Sequence, residues 1–138
     1  MIVYLDTSAL VKLYILEDGS EQVDEAVRRA DLVGTSLIAY PETLSAFYRR
    51  LRQGLYDRPY YNRMRQAFEK DWTRLHIIDL NRSIVRSTGK LIHRHGLRGF
   101  DAIHIATALH FKLWLSAPTT FLCFDQKLSK AARSEGLV

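Results

Sequence analysis

The chain has 138 residues, with 20 Lys and Arg against 15 Asp and Glu, five His and a single Cys, for a formal charge of +5 at pH 7. With 47% apolar residues and only seven Gly and three Pro, a chain of this length buries roughly two-thirds of its unfolded surface. That excludes disorder and a pair of linker-joined modules, and predicts a single domain over residues 1–138. A lone Cys123 excludes an intramolecular disulfide framework and predicts a reducing, cytoplasmic setting. No stretch approaches the roughly 18 uninterrupted apolar residues of a membrane span, so no membrane partner is expected. The positive balance favours an acidic partner such as nucleic acid without selecting one.

Ile-Val-Tyr-Leu at 2–5 is a β-branched and aromatic run that ends at Asp6-Thr7-Ser8, predicting a strand that turns into a helix. Asp6 and Lys12 interrupt the apolar start and no basic segment precedes it, so it reads as structure rather than as a leader. Asp18-Gly19-Ser20 breaks the chain, and Val23, Ala26 and Val27 at helical spacing predict a second helix over 20–30. Residues 32–35 form a second strand. A long helix follows from about 36 to 53, with Leu44, Phe47, Leu51 and Leu55 as its apolar stripe and Pro41 confined to its first turn. After Asp57-Arg58-Pro59, a helix over 60–73 buries Tyr61, Met64, Ala67, Phe68 and Trp72. Residues 75–80 form a third strand, and Asn81 or Ser83 caps a helix that runs to about 95. Gly99-Phe100-Asp101 opens a helix through about 113 that is apolar nearly all round, and so central. Residues 119–124, with Cys123 as a core residue, form the last strand, and residues 126–135 close the chain as a helix ahead of Gly136. Short apolar strands alternating with helices predict an α/β fold: a three-layer α/β/α sandwich around a short, mainly parallel sheet.

In such sheets the functional crevice lies beyond the carboxyl ends of the strands. Asp6 follows the first strand and Asp125 the last. Each could serve only as a helix N-cap, but two strand-end acids leading to one sheet edge carry more weight together than apart. Asp101 sits in the first turn of the apolar helix, where the helix dipole favours it but desolvation calls for a positive partner. Glu42 shares a helix face with Ile38, Ala46 and Arg49; alone it would read as a solvated charge. Were the four to converge, their repulsion would demand a cation. An oxygen-only set without Cys or paired His suits Mg²⁺ or Mn²⁺ rather than Zn²⁺. Such acids on a basic chain point to metal-assisted phosphodiester cleavage.

These residues carry a resemblance. Leu5-Asp6-Thr7-Ser8-Ala9-Leu10-Val11, Thr35-Ser36 with Glu42 seven residues after Thr35, Phe100-Asp101-Ala102-Ile103-His104-Ile105-Ala106-Thr107-Ala108, and Phe124-Asp125 together resemble a PIN domain, and more narrowly the VapC-type toxins of toxin–antitoxin pairs. The resemblance implies a PIN-like fold and a metal-dependent endoribonuclease whose Asp6, Glu42, Asp101 and Asp125 form the acidic Mg²⁺/Mn²⁺ site. Asp6 and Asp101 would be the principal ligands, Asp125 would act through water or by tuning charge, and Ser8 would orient Asp6. Glu42 would complete a second metal position or help deprotonate water. Pro41 directly before Glu42 departs from the expected pattern and bears on the reach of that glutamate. Hydrolysis by water with departure of the 3′ oxygen would leave a 5′ phosphate. The implied partners are an RNA substrate, a VapB-type antitoxin and a second copy of the chain, with Tyr48, Leu55 and Tyr61 in the region of those protein contacts.

Arg94 and Arg98, shortly before Asp101, are candidates for phosphate contact, as is Arg49 from the basic cluster of residues 49–65. His104 has no second His at ligand spacing and reads as a helix residue seeking a hydrogen-bond partner. A haloacid-dehalogenase-like phosphotransferase would need an acid where Ser8 stands, and a receiver domain would need an early acidic pair that is missing. The remaining alternatives are a stand-alone PIN nuclease and a non-catalytic PIN scaffold that binds RNA or a partner.

Overall fold

The alternation Ile2-Val3-Tyr4-Leu5 sends successive side chains to opposite faces of a strand. In the computed structural model, which describes residues 1–138, this alternation divides the apolar residues between two cores. Val3 and Leu5 enter one, and Ile2 and Tyr4 the other. The elements in chain order are β1 (Ile2–Leu5), α1 (Thr7–Val11), α2 (Ser20–Arg29), β2 (Leu32–Ser36), α3 (Ala39–Arg52), α4 (Arg58–Trp72), β3 (His76–Ile78), α5 (Arg82–His95), α6 (Gly99–Leu115), β4 (Thr119–Leu122) and α7 (Gln126–Ser134).

The four strands form one sheet in the order β3-β2-β1-β4, and every pairing is parallel. The fold is thus the α/β/α sandwich expected, with a wholly parallel sheet. The chain moves outward from β1 to β2 to β3, then returns to the far side of β1 as β4. Right-handed crossovers require helices on opposite faces when the direction reverses. Accordingly α1 to α4 pack on the core of Val3, Leu5, Phe47, Met64 and Phe68. α5, α6 and α7 pack on that of Tyr4, Ile84, Leu91, Ile105 and Leu128. The reversal places a crevice between the carboxyl ends of β1 and β4, where Asp6 and Asp125 leave the sheet.

Some local expectations are corrected. The buried face of α3 is Ala39, Thr43 and Phe47; Leu44 and Leu51 are half-buried, and Leu55 lies exposed beyond the helix. The helix begins at Ala39, three residues later than the pattern indicated. Pro41 is the third residue of α3, in the first turn, where an N–H has no intrahelical partner to lose. Ala67 of α4 is exposed. β4 stops at Leu122, so Cys123 lies past the strand, half-buried rather than in the core. The C-terminal Val138 instead bonds both ways along β4, to Thr119 and Phe121.

Gly34 on β2 fits under α6 because it has no side chain: a Cβ there would lie 2.6 Å from the Phe111 ring and 3.1 Å from Ile78 Cδ1. Both neighbours are buried, so neither can swing into solvent. Gly34→Ala is therefore expected to destabilise the protein by about 1–3 kcal/mol, read as a lowered Tm in calorimetry. An unchanged Tm would show that α6 can move off the sheet at no cost.

Candidate active site

Asp6 is the N-cap of α1, and its Oδ1 accepts from the Ala9 amide at 2.9 Å and from Ser8 Oγ at 2.7 Å. No protein donor meets its Oδ2. The residue is only 5% exposed. Burial pushes its carboxyl above the ordinary range, against the opposing pull of His104 and of the Ser8 and Ala9 hydrogen bonds, and the charge of Asp101 adds to the upward push. The N-cap and the site readings of Asp6 are thus both realised, through different oxygens. Ser8 Oγ also accepts from the Phe124 amide at 3.0 Å, tying the loop after β4 to the loop after β1.

Glu42 reaches the same region from the first turn of α3, so Pro41 does not withdraw it. Its Oε1 accepts from Thr7 Oγ1 at 2.6 Å and lies 2.8 Å from His104 Nε2. Burial pushes the Glu42 carboxyl up, but the hydrogen bonds from His104 and Thr7 more than offset this, leaving it below its usual range. His104 finds its partners as expected, and its Nδ1 lies 2.9 Å from the Tyr4 hydroxyl.

Asp101 occupies the first turn of α6, with Arg98 Nε 3.4 Å from its Oδ2. Asp125 is exposed and spends Oδ1 on the Leu128 amide at 2.9 Å as the N-cap of α7. Between these acids, burial pushes the Cys123 thiol up to about 11, with the charges of Asp6 and Asp125 contributing.

A cavity of about 770 Å³ opens here. It is lined by Thr7, Ser8, Phe100 and Phe124, the chain neighbours of Asp6, Asp101 and Asp125, and by Glu42 itself. Ile38, Ala46 and Arg49 line it as well, so the helix face assigned to Glu42 from spacing is the one turned to the cavity. Lys12, Arg49, Arg50 and Arg98 supply positive charge around it. Glu17 holds two of these, with Lys12 Nζ at 2.9 Å and Arg50 at 3.4 Å, while Lys12 also lies 4.7 Å from the Phe124 ring centre.

Arg94 is not part of this constellation. It extends from α5 to pair with Glu135 at 2.5 Å, beside His95 at 2.7 Å, and lines a separate cleft. Proximity to Asp101 in sequence misled here, because the left-handed turn at Gly96 separates the two helices. Tyr4 and Thr7 are the residues that sequence reasoning passed over. Tyr4 reads as one more apolar residue of the strand, and Thr7 as part of a turn. A Tyr in a strand interior whose hydroxyl must find a partner was the available signal.

No three acidic, His or Cys side chains draw together closely enough to enclose an ion by themselves. This does not fit a closed all-protein cage; an oxygen-only set of acids, in which Asp6 feels the charge of Asp101, has the donor chemistry suited to Mg²⁺. That ion is typically held by one or two carboxylates together with water and substrate phosphate.

Since its folded-state pKa is raised, Asp6 favours folding most below its unfolded-state pKa, and this contribution is lost as pH rises through the folded value. In EDTA at neutral pH, Asp6→Asn, which keeps an acceptor for Ser8 and Ala9, is thus expected to match or exceed wild type in Tm. Each kcal/mol regained is worth roughly 3–5 °C in a domain of this size, and the gain should vanish below the ordinary carboxylate range. A lower Tm at neutral pH would contradict the buried-charge account.

A family model for the PIN domain matches residues 3–133. Two curated relatives from Mycobacterium tuberculosis, Ribonuclease VapC45 of strain CDC 1551 / Oshkosh and Ribonuclease VapC49 of strain ATCC 25618 / H37Rv, are each 32% identical over 108 residues, spanning 78% of this chain and 75% of the relative. The crystal structure of Mycobacterium tuberculosis VapC20, described as a sarcin-ricin loop cleaving toxin, superposes with a TM-score of 0.69 over 99% of this chain and 96% of its own, at 16% identity. That last likeness concerns the fold; the family match and the two relatives reach the sequence itself, and the chain belongs to the PIN domain family, among its VapC-type members.

Proposed function

We propose that this chain is a Mg²⁺- or Mn²⁺-dependent endoribonuclease, the toxin of a toxin–antitoxin pair, acting in the cytoplasm on RNA phosphodiesters at a site formed by Asp6, Glu42, Asp101 and Asp125. The observation that carries the reading is the buried Asp6 carboxylate at the crevice between β1 and β4. It is anchored through one oxygen only, lies in the field of Asp101, and adjoins a cavity walled by cations. The names of the two curated relatives support the choice of RNA.

Asp6 and Asp101 would hold the ion, and such an ion supplies charge neutralisation at the scissile phosphate and a lowered pKa for the attacking water. Ser8 fixes the Asp6 carboxylate. Glu42, anchored at Oε1, leaves Oε2 to orient water or accept its proton. Asp125, exposed and engaged in capping α7, acts through water and through its charge. Arg98 and Arg49 at the cavity take substrate phosphates, whereas Arg94 is committed to Glu135.

Purified protein is expected to cut total cellular RNA with Mg²⁺ or Mn²⁺ and not with EDTA. Folded Asp6→Asn and Asp101→Asn variants should lose at least ~100-fold, about 2.7 kcal/mol of barrier. Arg98→Ala should raise KM, and Arg94→Ala should leave it unchanged. Cutting by both Asn variants at the wild-type rate would overturn the reading.

The same reading makes the protein a homodimer that binds a VapB-type antitoxin. Tyr48 and Leu55, at 49% and 66% exposure, offer apolar surface near Tyr61, whose ring lies 6.4 Å from that of Tyr48. Analytical ultracentrifugation is expected to give a dimer that Leu55→Glu weakens; a monomer at all concentrations would remove the homodimer.

A further inference from the structure

Tyr4, His104 and Glu42 come from β1, α6 and α3 and meet in one hydrogen-bonded row. Tyr4 is fully buried and the His104 side chain is 3% exposed, while the Glu42 side chain keeps 26% exposure at the cavity. Here both ring nitrogens are taken by side chains of other elements, one of them a carboxylate that faces the cavity.

The Tyr4 ring already packs in the core, stacked on Phe121 at 5.4 Å. Phenylalanine would fill the same space; the hydroxyl adds a bond to His104 Nδ1 at 2.9 Å, within reach also of Thr107 and the Ser36 backbone. A neutral imidazole donates from one nitrogen and accepts at the other. With the Tyr4 O–H donating to Nδ1, the ring proton stands on Nε2 and points at Glu42 Oε1. Thr7 Oγ1 donates to that same oxygen and lies 3.2 Å from His104 Nε2, whose proton it can share with Glu42 as an acceptor. Both donors thus fall on Oε1, and Oε2 receives none from the protein.

We propose that Tyr4 and His104 are positioning residues for the reaction: the phenol selects the Nε2–H tautomer of His104, which with Thr7 pins Glu42 through Oε1 and aims Oε2 into the cavity. The inference rests on the nuclease reading above. Neither residue touches the substrate, so their loss should lower kcat and leave KM in place.

Two-bond ¹H–¹⁵N correlation spectra of the metal-free protein, with the His104 signals identified by their absence in His104→Gln, are expected to show a protonated Nε2 and an unprotonated Nδ1. Tyr4→Phe should yield a mixture of tautomers. In RNA cleavage, His104→Leu should reduce kcat about 100-fold and Tyr4→Phe about 3- to 10-fold, at unchanged KM. His104→Gln, whose amide can donate from a similar place, should recover about tenfold over His104→Leu. Circular dichroism of each variant excludes unfolding, and Tyr4→Phe decides the matter if His104→Leu fails to fold. A doubly protonated or Nδ1–H ring at neutral pH overturns the proposal, as does kcat within twofold of wild type in folded His104→Leu. If wild type cuts no RNA while the ring shows the Nε2–H form, the nuclease reading falls and the hold on Glu42 stands. A different ring form in an active enzyme removes the positioning pair alone.

Discussion

Burying the Asp6 carboxylate at the end of an interior strand is the constraint around which the rest is arranged. β1 has parallel neighbours on both sides, so whatever follows Leu5 emerges between β2 and β4 with little access to water. A buried charge is tolerated only with hydrogen bonds or an opposite charge. The protein meets the first condition with the Ala9 amide and Ser8 hydroxyl on one oxygen. It leaves the other oxygen without a donor. The residual cost shows in the upward displacement of the Asp6 pKa.

The tripeptide Asp6-Thr7-Ser8 performs a second task. Its two hydroxyls diverge, Ser8 toward Asp6 and Thr7 toward Glu42, so adjacent residues of one short helix fix carboxylates from two parts of the chain. Because Ser8 also receives the Phe124 amide, the segment leading to Asp125 is tied to the same point. A displacement of α1 would therefore be felt at Asp6, Glu42 and the β4 loop together. Side chains on regular elements are held more rigidly than those on loops, and this suits a site that must present charges at fixed separations.

Charge around the cavity is organised by pairing as much as by number. Glu17 restrains Lys12 and Arg50, which keeps two long cationic side chains at the wall instead of in solvent. On the opposite face of the sheet, Glu135 receives Arg94 and His95 and joins the end of α5 to the end of α7. Among the 20 Lys and Arg, Lys12, Arg49, Arg50 and Arg98 face the cavity, while others such as Arg94 hold helices together.

Much of this was legible in the sequence, for a local reason. Strand alternation, helix caps and breakers act over a few residues, so the elements at Ile2–Leu5, Ser20–Arg29, Arg82–His95 and Gln126–Ser134 follow from near neighbours. Strand-end acids could be named because a parallel α/β sheet has one functional edge. The Ile38, Glu42, Ala46 and Arg49 face followed from helical periodicity alone. What the sequence could not supply were pairings set by three-dimensional approach: Tyr4 with His104 across 100 residues, Thr7 with Glu42 across 35, and Arg94 with Glu135 instead of a phosphate path. Hydrogen bonds and ion pairs depend on distances of a few tenths of an ångström between side chains brought together from different elements. Residue type fixes what each group can donate or accept; only the packed arrangement of β1, α3 and α6 decides which partner it finds.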